Sequence, residues 1–311
     1  MATLKQLNGS KSVVLEAASV VGRARGSTLL ISEPHVSNQH TLLRWKSNHW
    51  ELRDRSHNGT YVNGVRLPTD APRTLVKGDV LAFGDVSREW VFIDDSPPCV
   101  MLVATDGTTL IAEDDLLGVP SPEHPELTIF CDSDGVWKLE ANDGATSVLE
   151  NGTEFTCAGQ KWRFCCPQED ESTLTAEHIP SSRQNQAEAS PVLHFLVSAD
   201  EEYVELRLEY DSNSKVVHLG ARNLNYLLLV LARARIEDMS RGLPDTSCGW
   251  MYKEDLATSL HMTPTQIDGE VFRIRHHFAR FKLKEAALVI ERRGRTGQLR
   301  IGLRRLRITK L

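Results

Sequence analysis

Arginine and serine side chains brought together by tight turns can hold a phosphate, and the first third of this 311-residue chain spaces them for that chemistry. Gly22-Arg23 closes an apolar run from Val13 to Val21 and places a guanidinium at a strand-to-loop corner. Ser37-Asn38-Gln39-His40 opens the next loop with a hydroxyl and an amide, and His57-Asn58-Gly59-Thr60 makes a third tight turn before the strand Thr60-Tyr61-Val62. Asn and Gly at such turns tolerate the positive φ that other residues resist. The planar fork of Arg donates two parallel charge-assisted hydrogen bonds to a phosphate. The candidate donors are therefore Arg23, Ser37 and Asn38, with His57 and Asn58 in the turn beside them. A Ser and a His in one segment would also suit a hydrolase. However, no G-x-S-x-G elbow or ordered third acid accompanies them, so no catalytic residue is assigned.

Positioning these residues requires short strands closing at one end, and the remaining motifs supply them. Val62-Asn63-Gly64 and Leu75-Val76-Lys77-Gly78-Asp79 mark two further turns between strand patterns. Taken in order, G-R, S-x-x-H, N-G-T and V-N-G over Ser12 to Asp95 resemble the forkhead-associated (FHA) domain, an all-β sandwich that binds phosphothreonine. The resemblance implies that Arg23 and Ser37 contact the phosphate and that Asn38 and Asn58 hold the peptide backbone. It makes His40 a brace between loops, with Gly22 and Gly59 structural. Two positions depart from the pattern. His57 stands where many members carry Thr or Ser, and His35 stands where some carry a peptide-selecting Arg. The peptide preference beyond phosphothreonine thus stays open.

Length allows two or three domains. Met1 to Lys11 is polar and no apolar stretch reaches transmembrane length, which predicts a cytoplasmic protein without a membrane segment. The six cysteines form no C-x-x-C pair, which argues against a zinc site and for reduced thiols. No metal or cofactor is expected. The net charge of −6 is unevenly spread. Residues 1–93 carry 12 Lys/Arg against 8 Asp/Glu, and residues 94–211 carry 5 against 25. Residues 212–270 carry 6 against 7, and the last 41 residues carry 13 against 2. A basic end on an acidic body points to nucleic-acid contact at that end.

The segment 96–167 again alternates short strand patterns with Gly, Asp and Asn turns. Leu117-Gly118-Val119 parallels Val21-Gly22-Arg23, and Trp137-Lys138-Leu139-Glu140 parallels Trp50-Glu51-Leu52-Arg53. Val119 replaces the Arg and S-x-x-H is missing, which predicts a smaller, degenerate FHA-like β-domain without a phosphate site. Residues 168–191 are polar, acidic and poor in large apolar residues, as in a flexible linker. Thr173 and Thr175 lie there as candidate phosphorylation sites for a Ser/Thr kinase, tethered to the phosphothreonine reader.

From Val192 the pattern changes. Strands are expected at Leu193–Ser198, Tyr203–Tyr210 and Lys215–Leu219, then a helix from Asn223 to about Ile236 and a brief helix over Lys253–His261. Thr263-Pro264-Thr265-Gln266 reads as a capping box with Pro in the first turn, opening a helix to Phe281. Ile267, Val271, Ile274, Phe278 and Phe281 mark its buried face. Ala287–Arg292 and Leu299–Arg307 would flank a basic hairpin tip at Gly294-Arg295-Thr296-Gly297. This order over 192–311 resembles the α/β winged helix-turn-helix DNA-binding domain of bacterial response regulators. The resemblance implies Gln266, Arg273, His276 and Arg280 on the groove side of the last helix, with Arg292, Arg293 and Arg295 on the wing. The expectation is a bacterial multidomain regulator that reads phosphothreonine at 1–95 and binds double-stranded DNA at 192–311. The alternative is a phospho-dependent adaptor whose winged helix contacts protein.

Overall fold

The computed structural model describes residues 1–167, 191–210, 215–283 and 285–311, so Thr173 and Thr175 lie outside the described residues. The chain divides into two compact units. One comprises Met1–Ile111 with the segment that begins at Arg163, and the other comprises Ala112–Trp162 with the C-terminal part of the chain. The segment 96–167, read from sequence as one domain, is therefore shared between the two.

The first unit is built from strands β1 (Thr3–Gln6), β2 (Ser12–Val14), β3 (Ala18–Gly22), β4 (Leu29–Leu30), β5 (Thr41–Lys46), β6 (His49–Asp54), β7 (Thr60–Val62), β8 (Val65–Arg66), β9 (Pro72–Leu75), β10 (Val80–Phe83) and β11 (Glu89–Asp94). They form two sheets, β2-β1-β11-β10-β7-β8 and β4-β3-β5-β6-β9. A hairpin of β12 (Met101–Ala104) and β13 (Thr109–Ile111) follows. Period-two alternation drives the sandwich: along β6, Trp50, Leu52 and Asp54 point inward between half-exposed neighbours. Trp50 meets Phe92 of the other sheet edge-on, centroids 6.4 Å apart, and its indole N–H donates to the Ser96 carbonyl at 3.1 Å. The β5–β6 hairpin turns on Ser47 and Asn48, both at positive φ, as a two-residue turn demands.

The turn motifs of the sequence prove to be clamps. The Asn63 amide donates to Asp79 at 2.8 Å and its carbonyl accepts the Val80 N–H at 2.9 Å, while Asp79 accepts the Val76 N–H at 3.0 Å. The V-N-G and K-G-D turns are thus tied to each other and hold β7 beside β10.

The second unit contains β14 (Leu116–Val119), β15 (Leu127–Cys131), β16 (Trp137–Ala141) and β17 (Thr146–Val148), paired antiparallel in chain order. This repeats the order of β3, β5, β6 and β9. Strands β18 (Glu154–Cys157) and β19 (Gln160–Cys165) follow. Then come β20 (Val192–Val197), β21 (Val204–Tyr210), β22 (Lys215–Ala221), α1 (Asn225–Ser240), β23 (Met251–Tyr252), α2 (Lys253–Ser259), α3 (Pro264–Arg280), β24 (Ile290–Arg293), β25 (Gln298–Ile301) and β26 (Leu306–Lys310). The three helices pack on one core that includes Leu206, Leu228, Leu256, Ile267, Val271, Ile274 and Phe278.

The capping box is present. Thr263 Oγ1 accepts the Gln266 N–H at 3.2 Å, and Gln266 Oε1 accepts the Thr263 N–H at 2.7 Å. Two expectations fail locally. Phe281 is 39% exposed because α3 ends at Arg280 and the chain turns through Lys282 at positive φ. The strand expected over Leu299–Arg307 breaks in two, since Gly302 packs where a Cβ would lie 1.9 Å from the Leu288 carbonyl oxygen. The chain then redirects so that β26 pairs parallel with β20, closing the sheet β22-β21-β20-β26.

Candidate functional site

Three loops converge at one end of the first sandwich: residues 23–28 after β3, 31–40 between β4 and β5, and 55–59 between β6 and β7. Backbone bonds bring them together. The Arg23 N–H donates to the Ser37 carbonyl at 2.9 Å, and the Ala24 N–H to that of Asn38 at 3.2 Å. Gly22 permits this approach, because a Cβ there would sit 2.1 Å from the Asn38 carbonyl oxygen. Its requirement is steric. Gly59, by contrast, sits at φ +91°, where L residues are strained, and lies under the Arg66 side chain.

His40 joins the second loop to the third from a fully buried position. Its Nδ1 accepts the Ser37 N–H at 3.1 Å, which leaves Nε2–H to donate to the Gly59 carbonyl at 3.2 Å. Burial lowers its pKa below the usual histidine value, against the Gly59 bond and the Asp54 charge that raise it, so the neutral ring is favoured.

Sequence reasoning missed the carboxylate beneath the third loop. Asp54 is 1% exposed and accepts from the Ser56 N–H at 3.1 Å, the Ser56 hydroxyl at 2.7 Å and the Thr60 hydroxyl at 2.8 Å. Ser56 Oγ in turn accepts the Gly59 N–H at 2.7 Å, and Thr60 shares a 2.7 Å hydroxyl contact with Thr41 of the other sheet. An acid two before a Ser and six before a Thr is the available signal in the sequence. Only burial distinguishes it from an ordinary turn.

On this frame the five candidates gather. Ser37 Oγ accepts the His57 N–H at 3.3 Å, which leaves its hydroxyl proton available to a ligand. Asn58 Nδ2 donates to the His35 carbonyl at 2.7 Å. Asn38, His57 and Asn58 are exposed, as is Arg23, whose guanidinium has no ion pair or side-chain hydrogen bond among the described residues. Residues 22–30, 34–41 and 55–66 contain four arginines and no Asp or Glu. An exposed arginine on a loop bonded to that of the serine, with Glu33 the one acid in the three loops and paired with Arg88, is an anion-receptive arrangement.

The basic-end candidates are less uniform. Arg273, Arg280, Arg293, Arg295 and Gln266 are exposed. Arg273 pairs with Glu270 at 2.7 Å, and the Gln266 carbonyl is already committed to the helix cap. His276 lies 3.4 Å from Glu113 and stacks on Phe272. Arg292 departs from its expected place on an exposed wing. Its side chain is 2% exposed, held by Asp268 at 2.8 Å, Glu140 at 3.3 Å and the Asn142 carbonyl at 2.9 Å. Burial and the neighbouring Arg275 lower its pKa from the ordinary guanidinium value, opposed by Asp268 and Glu140.

No helix among the described residues is long and apolar enough to cross a membrane. The FHA domain family model matches residues 19–84. Nibrin of Danio rerio is 29% identical over 115 residues, covering 34% of this chain and 13% of its own length. FHA domain-containing protein FhaB of Mycobacterium tuberculosis is 31% identical over 78 residues, covering 23% of this chain and 50% of its own. The chain thus spans half or less of the curated relatives it matches. A solved N-terminal FHA domain of S. cerevisiae Rad53p, in complex with a phosphothreonine peptide, is 21% identical with a TM-score of 0.28. That match covers 30% of this chain and 93% of the other. FHA domains are phosphopeptide-binding modules, and the match to that family spans residues 19–84 of this chain.

Proposed function

We propose that this chain is a phosphothreonine-responsive regulator that binds double-stranded DNA through residues 192–311. Arg23 and Ser37 hold the phosphate, Asn38 and Asn58 hold the peptide backbone, and His57 borders the site. The observation that carries the phosphate reading is the exposed Arg23, without an ion pair among the described residues, on a loop bonded to that of Ser37, where the one acid, Glu33, is paired with Arg88. A phosphothreonine brings about −1.5 to −2 charges to that place. The partner is a protein phosphorylated by a Ser/Thr kinase, or the chain's own Thr173 or Thr175 acting from residues 168–191. The segment 96–167 is a degenerate FHA-like copy with Val119 in place of the arginine, and the protein works in the bacterial cytoplasm without catalysis of its own.

The DNA reading rests on the charge of the last 41 residues, 13 Lys/Arg against 2 Asp/Glu, and on the capped helix followed by a basic hairpin. One observation favours the adaptor alternative: Arg275 and Arg292 already make a protein contact through Glu140. Calorimetry tests the first half. Arg23→Ala should weaken a phosphothreonine peptide about a hundredfold, since a bidentate pair of charge-assisted bonds is lost. Equal affinity would refute it. Gel retardation tests the second half. Arg273→Ala with Arg280→Ala should weaken duplex binding, and Arg293→Ala with Arg295→Ala should lower the salt slope by about one unit per lost contact. Identical retardation in all variants would favour the adaptor.

A further inference from the structure

Helix α3 has two buried faces. Ile267, Val271, Ile274 and Phe278 face the core, as their spacing dictates. Asp268, Phe272 and Arg275 form a second buried stripe, offset by one residue from the first. The sheet β14–β17 covers Phe272 with Leu116 and Phe130, and Arg275 with Glu140. At the centre, the Glu140 carboxylate bridges Arg275 at 2.6 Å and Arg292 at 3.3 Å, one from the helix and one from the hairpin. Asp268 completes the cluster with Arg292 at 2.8 Å and Lys253 at 3.0 Å. On one flank Phe272 packs with Leu116, Phe130 and Ala287. At the hairpin tip the Arg295 N–H donates to the Asp143 carbonyl at 2.7 Å, and a Cβ on Gly144 would sit 3.0 Å from the Arg293 carbonyl. The rim holds Lys282–Asp114 at 2.7 Å and His276–Glu113 at 3.4 Å. Residues 112–162 carry 11 Asp/Glu against 2 Lys/Arg, complementary to the end they cover.

We propose that the sheet β14–β17 is an internal stopper on the basic face between α3 and the β24–β25 hairpin, with the Glu140 carboxylate standing where a DNA phosphate sits once the sheet withdraws. This rests on the DNA reading above. The chemistry of the contact favours a releasable cover over a permanent core. Its buried apolar part is a cluster of four residues, against a core of 25 buried residues beneath α3. The centre consists of charges whose burial is costly and which apolar residues of similar volume would replace at little loss. Charged groups, unlike apolar ones, are stable in water or on a polyanion when the sheet leaves. A carboxylate between two guanidiniums presents the same charge and bidentate geometry as a phosphate oxygen pair.

The test uses the full chain with a fluorescent duplex of mixed sequence, anisotropy as readout, and hydrogen exchange of α3 and β24 alongside. Glu140→Gln removes the central charge, and Phe130→Ala loosens the apolar flank without touching any charge. The second variant covers the case in which the first fails to fold. If the cover is open in about a tenth of parent molecules, releasing it raises apparent duplex affinity about tenfold. Arg292→Ala added to Glu140→Gln should remove that gain. Parent and variants binding the duplex equally well would overturn the stopper while leaving the DNA reading intact. Absence of binding in every variant, with exchange in β24 accelerated, would overturn both. Absence of binding with exchange unchanged would overturn the stopper as a releasable element and make the contact permanent packing.

Discussion

Replacing His40 by Ala should destabilise the first unit far more than its single side chain suggests. The imidazole is fully buried and serves two loops at once, accepting the Ser37 N–H and donating to the Gly59 carbonyl. The Gly59 oxygen keeps its 2.9 Å bond from Gly84, so the exposed loss there is about 1 kcal/mol. The Ser37 N–H has no such second acceptor among the described residues and is left unsatisfied, at a cost of about 1–3 kcal/mol. Losing the ring's edge-on contact with Phe83 adds about 1 kcal/mol. Together these predict about 3–5 kcal/mol, or core-amide exchange in β5 and β10 faster by about a few hundredfold to a few thousandfold. The parent should also show a pH dependence that the variant lacks. Burial lowers the folded pKa of His40, so the unfolded chain takes up its proton first as pH falls. The contribution is therefore full above about 6.5 and is lost as pH drops through the depressed folded value. Exchange rates differing by less than about fivefold, or a parent-minus-variant difference that is flat below pH 6.5, would refute the bracing role.

Gly22→Ala should lower the melting temperature of the first unit, with a cost of about 2–4 kcal/mol, because backbone and not a flexible side chain meets the new methyl. An unchanged melt would mean the loop 37–40 can retreat. Thr263→Ala should cost about 1 kcal/mol through loss of the capping box, measured by hydrogen exchange in the first turn of α3. The Cys157 thiol is pushed up to about 11 and that of Cys165 to about 12, chiefly by burial, with Glu126 and Glu16 respectively adding to it. Both should resist iodoacetamide at pH 8 in the native protein and react after denaturation, by mass spectrometry of digested peptides.

The two halves of the molecule differ in how their polar groups are stabilised. In the first unit, Asp54 is buried on hydroxyls and an amide, so the carboxylate holds a turn and leaves Arg23 unpaired. In the second, acids and arginines are spent on each other, as in Glu140–Arg275 and Asp268–Arg292. The Arg23 guanidinium has no partner among the described residues, whereas Arg275 and Arg292 are paired.

The sequence by itself determined the local events. Gly22-Arg23, S-x-x-H and N-G-T located the turns because Gly and Asn are needed where backbones approach closely or φ turns positive. Thr263-Pro264-Thr265-Gln266 located a helix start because each residue satisfies a backbone donor within three positions. Four of the five apolar positions read on α3 are buried at the expected spacing. Tertiary structure alone decided which polar residues face solvent. Nothing in the order Glu291-Arg292-Arg293 says that the middle side chain is 2% exposed, because its partners Glu140 and Asp268 are distant in sequence. The burial of Asp54 depends on Thr60 and Thr41 arriving from other strands. The parallel pairing of β26 with β20 joins the two ends of the C-terminal segment, a contact that periodicity cannot report. Turns and caps are satisfied by neighbours along the chain, and so they can be read there. Charge burial and sheet closure are satisfied by partners that only folding brings together.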